Sequence, residues 1–173
     1  MDKRRQLASE TGLYTFDVFE VLLNYEIARI SRHPSPLTLM HIALATENQM
    51  PEFKKQALEA MTNLLSRALR VSDVPTHYNE DFLVLMPATD GAGGIAVADR
   101  ILGNYRTTKS LATGRLSPRR NAYIGITTHQ GNEIHSAQQL MAEASVAMNE
   151  ARLRHSFTLV SYAEIAHTQP KPP

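Results

Sequence analysis

The sequence predicts an α+β domain: a ferredoxin-like antiparallel sheet of βαββαβ order, extended by one further helix and one further strand. Three observations predict it. Apolar residues fall alternately into runs of helical spacing and into short runs bounded by breakers. Two short runs, Val74 to Tyr78 and Phe82 to Met86, are separated by so few residues that they must form a hairpin. The order of elements is helix, then β-α-β-β-α-β, then α-β, whose centre is the split β-α-β unit with helices on one face. Many unrelated functions share that unit, so activity has to be argued from individual residues.

The first helix begins near Thr15, because Phe16, Phe19, Leu23, Ile27 and Ile30 recur at helical spacing. "RHPSP" stops it, since proline disfavours helix in the residue before it. "LTLMHIALA", Leu37 to Ala45, is a buried strand. A second helix opens near Pro51, with proline tolerated in the first turn. Its apolar stripe runs through Phe53, Ala57, Met61, Leu65 and Leu69. After the hairpin, Asp90 is placed to cap a helix carrying Ile95, Ala98, Ile101 and Leu102. "AYIGITT" is a strand whose internal glycine marks a close backbone approach. Ser136 caps a long helix bearing Leu140, Met141, Ala144, Met148 and Ala151. "FTLVSY" is the last strand. Residues 1–14 form a lead-in, 15–163 the domain, and 164–173 a proline-rich tail expected to be disordered.

Composition narrows the functional classes. A chain of 173 residues with 43% hydrophobic content can build one real core. Charges nearly cancel, 18 basic against 17 acidic, so no global field draws nucleic acid or an anionic membrane. Cysteine is absent, which removes disulfides, thiolate zinc sites and cysteine nucleophiles. No apolar segment is long enough to span a bilayer, and "MDKRRQLASE" lacks the apolar centre of a signal peptide. The expected location is cytoplasmic. None of the seven histidines pairs with another at metal-ligand spacing on a helix. His41 and His77 read as packed or hydrogen-bonded side chains. Arg106, Lys109, Arg115, Arg119 and Arg120 concentrate charge in one connection, which reads as a solvated loop.

The ordered set of segments resembles the GGDEF family, the diguanylate cyclase domains that make cyclic di-GMP from two GTP molecules. "ETGLYTFDVFEVLLNYEIARISRHPSPLTLMHIAL" is similar to the family opening. "LRVSDVPTHYNEDFLVLMPATD" is similar to its central hairpin. "AVADRIL", "AYIGITT" and "MAEASVAMNEARLRHSFTLVSY" are similar to its later elements. The likeness runs from about Leu7 to Tyr162 and implies the fold of nucleotide cyclase domains.

The same resemblance implies that catalysis has been lost. The family holds divalent cations between a carboxylate on the first strand and one on the hairpin, because phosphoryl transfer needs cations to neutralise developing charge. Here Ala43 stands at the metal-binding aspartate position and Ala45 at the next acidic one. "TENQMPEFKK" leaves no counterpart of the guanine-binding stretch. Asn79, Glu80 and Asp81 stand between Tyr78 and Phe82, one residue fewer than "GGDE", with Asp81 at the second acid and Asn79 at a glycine. An unneutralised carboxylate about 4 Å from a phosphate charge costs on the order of 4 kcal/mol at an effective dielectric near 20. The hairpin is therefore expected to be vestigial, with no catalytic residue, no metal and no cofactor, and at most a weak single-metal site at Asp81. Arg152 falls where the family often has a phosphate-contacting lysine.

A second family site is matched. GGDEF domains often carry an inhibitory product site, an "RxxD" before the hairpin and an arginine on the following helix. "RVSD" supplies Arg70 and Asp73, and "ADRIL" supplies Arg100. Arginine offers a planar fork to the O6/N7 edge of guanine, and an aspartate accepts from guanine N1 and N2. The plainer readings are a helix-end cation at Arg70, a local turn at Asp73 and a solvated arginine at Arg100. The resemblance thus implies an inactive signalling domain that receives cyclic di-GMP through Arg70, Asp73 and Arg100 and acts on a regulatory partner domain or subunit, or on a second copy in a homodimer. The alternatives are a docking or dimerisation domain without a nucleotide ligand, and a divergent cyclase or hydrolase using Asp81.

Overall fold

A computed structural model describes residues 12–45, 50–107, 121–131, 136–154 and 159–167. Its elements are α1 (Phe16–Arg32), β1 (Leu37–Ala45), α2 (Pro51–Ala68), β2 (Val74–Tyr78), β3 (Asp81–Pro87), α3 (Gly91–Thr107), β4 (Asn121–His129), α4 (Ala137–Leu153), β5 (Leu159–Ser161) and α5 (Tyr162–Ala166). The five strands lie in the order β2-β3-β1-β4-β5. β1 is central and antiparallel to both β3 and β4, whereas β5 joins β4 in parallel after the α4 crossover. The first four strands have the order of the split β-α-β unit.

Strand periodicity divides the core into two layers, because successive side chains point to opposite faces. Met40 and Ile42 of β1 face one side with Phe82, Val84, Met86, Ile124 and Ile126, where α2 and α3 deliver Met61, Leu65, Ile101 and Tyr105. Leu37, Leu39, Leu83 and Leu85 face the other, against Phe19, Leu23 and Ile30 of α1 and Leu140 and Ala144 of α4. The expectation of helices on one face holds for α2 and α3, while α1 and α4 close the second face. A sheet covered on both sides needs apolar residues at consecutive positions, which is why β1 is buried from Leu37 through Ala43.

Local signals set the element ends. Asp90 Oδ1 accepts from Gly93 N at 2.8 Å at the start of α3, and Ser136 Oγ accepts from Gln139 N at 3.1 Å at the start of α4. Both satisfy amides that have no partner inside the helix. At the end of α1, Arg29 bonds Glu26 at 2.8 Å and Ser35, just beyond Pro34, at 3.0 Å. Gly125 on β4 lies so close to α4 that a Cβ would overlap the backbone of Ala144 and Met148.

Two expectations at the C-terminal end are corrected. Among the described residues the last strand covers Leu159–Ser161, Phe157 and Thr158 lying outside them, and Tyr162 opens the short helix α5 instead of closing the strand. α5 continues to Ala166, so the stretch expected to be a disordered tail from residue 164 begins as helix. Tyr162 and Ile165 pack against Ala147, Ala151 and Val160, an apolar contact that a three-residue strand alone would leave exposed. At the other end, the lead-in contributes to the core: Leu13 is fully buried and Tyr14 N donates to Pro75 O at 3.0 Å. Residues 168–173 and 1–11 lie outside the described residues.

Candidate functional site

The hairpin tip is built by register. Tyr78 pairs with Asp81 across β2 and β3, leaving Asn79 and Glu80 as the loop. Asn79 has φ 57, the left-handed region that asparagine tolerates better than most side chains. A glycine-like backbone is therefore kept by the residue that aligns with a glycine. On the other side of β3, Ile42 pairs with Phe82, and one more step along this register sets Ala43 opposite Asp81. Two facing positions on adjacent strands are where a pair of carboxylates would share a cation. Here one of them is a methyl group, fully buried.

The remaining carboxylate is already engaged. His41 shares the sheet face of Ala43, two residues before it, and its side chain is buried. His41 Nε2 lies 2.9 Å from Asp81 Oδ2, and Nδ1 lies 2.8 Å from Ser145 Oγ on α4. The Tyr78 ring stands edge-on to the imidazole, with centroids 5.9 Å apart. Ser145 Oγ also lies 2.7 Å from the Met141 carbonyl, to which it can donate. Its single hydrogen goes either to that carbonyl, with Nδ1–H donating to Oγ, or to Nδ1. When Oγ–H donates to Nδ1, the neutral ring carries its proton on Nε2, facing Asp81; when Nδ1–H donates to Oγ, Nε2–H also faces Asp81 only if the ring is doubly protonated. Glu80 is an exposed loop residue, and among the described residues no three His, Asp or Glu side chains converge as a metal site. The residues present do not fit the divalent pair that phosphoryl transfer requires.

A cavity of about 490 Å³ opens beside this tip, with Lys54, Lys55 and Arg152 facing Glu80 and Asp81. Arg152 lies over the Tyr123 ring, 5.9 Å from its centroid, and Nη2 reaches Met148 Sδ at 3.8 Å. It is thus held on an aromatic face beside the hairpin.

The second predicted constellation is brought together by the turn that links α2 to β2 and by the facing helix α3. Asp73 N donates to Arg70 O at 3.1 Å, and Arg70 N donates to Asp73 Oδ2 at 2.8 Å, which closes the "RVSD" turn on itself. Asp73 is only 4% exposed, and its other oxygen, Oδ1, has no hydrogen-bond partner among the described residues. Burial pushes the Asp73 carboxyl above the usual carboxylate value. The Arg70 backbone bond and then the nearby charges of Arg70 and Arg100 oppose that shift without overcoming it. Arg100 reaches across from α3, and Nη2 donates to the Ala68 carbonyl at 2.7 Å at the end of α2. A guanidinium has five N–H donors, so this bond occupies a fraction of the fork. Arg70 and Asp73 line a cavity of about 190 Å³ together with Tyr14 and Ser66.

Structure and sequence agree on Arg70, Asp73 and Arg100 as neighbours and on Ala43 and Asp81 as facing positions. The turn reading of Asp73 and the ligand reading are compatible, since Oδ2 serves the turn while Oδ1 has no partner among the described residues. His77 is packed: its ring lies 4.8 Å from that of Phe82, with Nε2 3.4 Å from Thr62 Oγ1. Arg106 donates to Asn121 Oδ1 at 3.1 Å, while Lys109, Arg115, Arg119 and Arg120 lie outside the described residues. The residues missed were His41 as the partner of Asp81, and Ser145. A signal for His41 existed: period-two alternation sets it on the face of Ala43 in a strand otherwise apolar. Nothing local pointed to Ser145.

The comparisons agree with this fold. Residues 9–156 match the family model "Diguanylate cyclase, GGDEF domain". No sequence among the curated proteins matches this chain. Among solved structures, the chain is similar to the GGDEF domain of DgcB from Caulobacter crescentus, which was solved in complex with c-di-GMP. The TM-score is 0.77 at 14% identity, over 94% of this chain and 96% of that one. It is also similar to the diguanylate cyclase SiaD from Pseudomonas aeruginosa, solved with its activator SiaC. There the TM-score is 0.78 at 22% identity, over 92% of this chain and 63% of that longer one. The FimX GGDEF domain from Pseudomonas aeruginosa gives a TM-score of 0.73 at 18% identity, over 90% and 98%. Among the described residues no helix is long and apolar enough to cross a membrane.

Proposed function

This chain belongs to the GGDEF family of diguanylate cyclase domains, and on that premise we propose that it is a catalytically inactive member that receives cyclic di-GMP at Arg70, Asp73 and Arg100. The observation that carries the reading is Asp73. A buried carboxylate oxygen without a partner costs roughly 1–3 kcal/mol; the Asp73 carboxylate feels the charges of Arg70 and Arg100 and lines a cavity with Arg70. A guanine edge supplies what is lacking: N1–H and N2–H donate to the carboxylate, while O6 and N7 accept from a guanidinium. The cavity, about 190 Å³, is smaller than the roughly 300–1,000 Å³ of a pocket that encloses a whole ligand. One base edge enters it, and the remainder of the ligand lies over the exposed arginines.

The loss of catalysis is supported by Ala43 opposite Asp81 and by the engagement of Asp81 with His41. GTP hydrolysis or cyclisation would need the cations that this pair no longer holds. Ligand binding at the α2–β2 turn would then be passed to a partner domain, subunit or second copy, as a regulatory signal.

Titration calorimetry with cyclic di-GMP tests the proposal. Saturable heat that disappears in Arg70→Ala supports it. Absence of heat at high micromolar ligand, or binding unchanged in Arg70→Ala, rejects it in favour of a docking domain without nucleotide. Product formed from GTP with magnesium or manganese, and lost in Asp81→Ala, would instead reinstate an enzyme.

A further inference from the structure

We propose that His41 is the resident partner of the hairpin carboxylate, locking Asp81 to α4 and excluding a divalent cation independently of the alanine at position 43. The inference rests on the reading of the hairpin as a former metal site, and not on cyclic di-GMP binding.

A carboxylate that chelates a divalent cation bidentately gives both oxygens to it. Asp81 Oδ2 instead accepts from an imidazole N–H at 2.9 Å. The imidazole cannot turn away cheaply, because it is buried and its far nitrogen is held by Ser145 at 2.8 Å. Ser145 in turn is tied to the Met141 carbonyl of its own helix. Three elements, β1, β3 and α4, are thus joined through side chains at the point where the family's chemistry uses an ion. A hydrogen bond to a charged group contributes about ten- to a hundredfold to an equilibrium constant. A cation competing for Oδ2 of Asp81 meets that factor before any question of a second ligand arises. Tyr78 stands edge-on to the imidazole and in turn meets the Phe16 ring of α1 at 5.3 Å.

The test is Mn²⁺ binding read by the loss of the free-ion paramagnetic resonance signal, on the wild type, Ala43→Asp, and Ala43→Asp combined with His41→Leu. Thermal melts confirm that each is folded. The wild type is expected to leave the Mn²⁺ signal unchanged. Ala43→Asp alone should bind weakly, and the double variant at least about tenfold more tightly. Equal affinity of the single and double variants would overturn the lock. So would stoichiometric Mn²⁺ binding by the wild type that is lost in Asp81→Asn. Should the buried changes prevent folding, the nitrogen-edge imidazole resonances of wild-type His41 give a second reading. They are expected to be insensitive to excess Mg²⁺ and to move in Asp81→Asn. A Mg²⁺-dependent shift of those resonances would show Asp81 leaving His41 for the ion and refute the proposal. Cyclic di-GMP affinity, measured on the same wild type, reports separately on the Arg70 site.

Discussion

Replacing Asp73 by asparagine should make the domain more stable and a poorer receptor at once. The wild-type carboxylate is 4% exposed, with one oxygen bonded to the Arg70 amide and the other without a partner among the described residues. Asparagine keeps the first bond through its carbonyl and removes the buried charge. A neutral polar group is less costly to bury than an ionised one, so a gain of about 1 kcal/mol is expected at neutral pH, or roughly 2–4 °C in Tm for a chain of this size. The pH dependence follows from the sign of the Asp73 shift. Burial, its leading cause, raises the folded value above 3.8. A carboxyl with a higher pKa folded than unfolded favours the native state while protonated, and that contribution is lost as pH rises through the folded value. The advantage of Asp73→Asn should therefore be present at neutral pH and vanish below about pH 3.8. Cyclic di-GMP affinity should fall about ten- to a hundredfold through loss of a charged acceptor for guanine. Scanning fluorimetry across pH and titration calorimetry measure the two effects. A variant that is less stable at pH 7 and still binds as the wild type does would refute the reasoning.

Four further outcomes are expected. Gly125→Ala should cost about 3 kcal/mol, since its Cβ would displace the α4 backbone; denaturant unfolding measures it, and a cost near zero would mean that α4 shifts freely. Ala88→Gly should stabilise by about 0.5–1 kcal/mol, because Ala88 has φ 51 and relief of the left-handed strain exceeds the entropy cost of glycine. Burial holds His77 below 6.5. The stability it contributes is whole above 6.5 and declines as pH falls toward its lower folded value, so His77→Phe should flatten the melting profile over that window. Arg100→Ala should weaken cyclic di-GMP binding and also loosen the end of α2, whose Ala68 carbonyl loses its donor; calorimetry and amide exchange at the end of α2 report the two effects.

Much of the fold was legible because it is written in local periodicity. The hairpin, the proline start of α2 and the caps at Asp90 and Ser136 each depend on residues within one or two turns of one another. The glycine of "AYIGITT" marked a close approach, although the sequence could not say that α4 was the neighbour. The C-terminal end was misread for the same reason in reverse. "FTLVSY" has strand composition throughout, and only the packing of Tyr162 and Ile165 on Ala147 and Ala151 turns its end into helix.

By itself the sequence determined the order of elements, the absence of a carboxylate at Ala43 and the presence of Arg70, Asp73 and Arg100 at matching positions. Those are statements about residue identity and spacing. Tertiary structure decided that Asp81 meets His41, 40 positions earlier in the chain, and that His41 in turn meets Ser145, 104 positions later, and that one oxygen of Asp73 is buried without a partner among the described residues. Such facts depend on strand register and on which helix covers which face. Those are set by packing of the whole core, and no local pattern carries them.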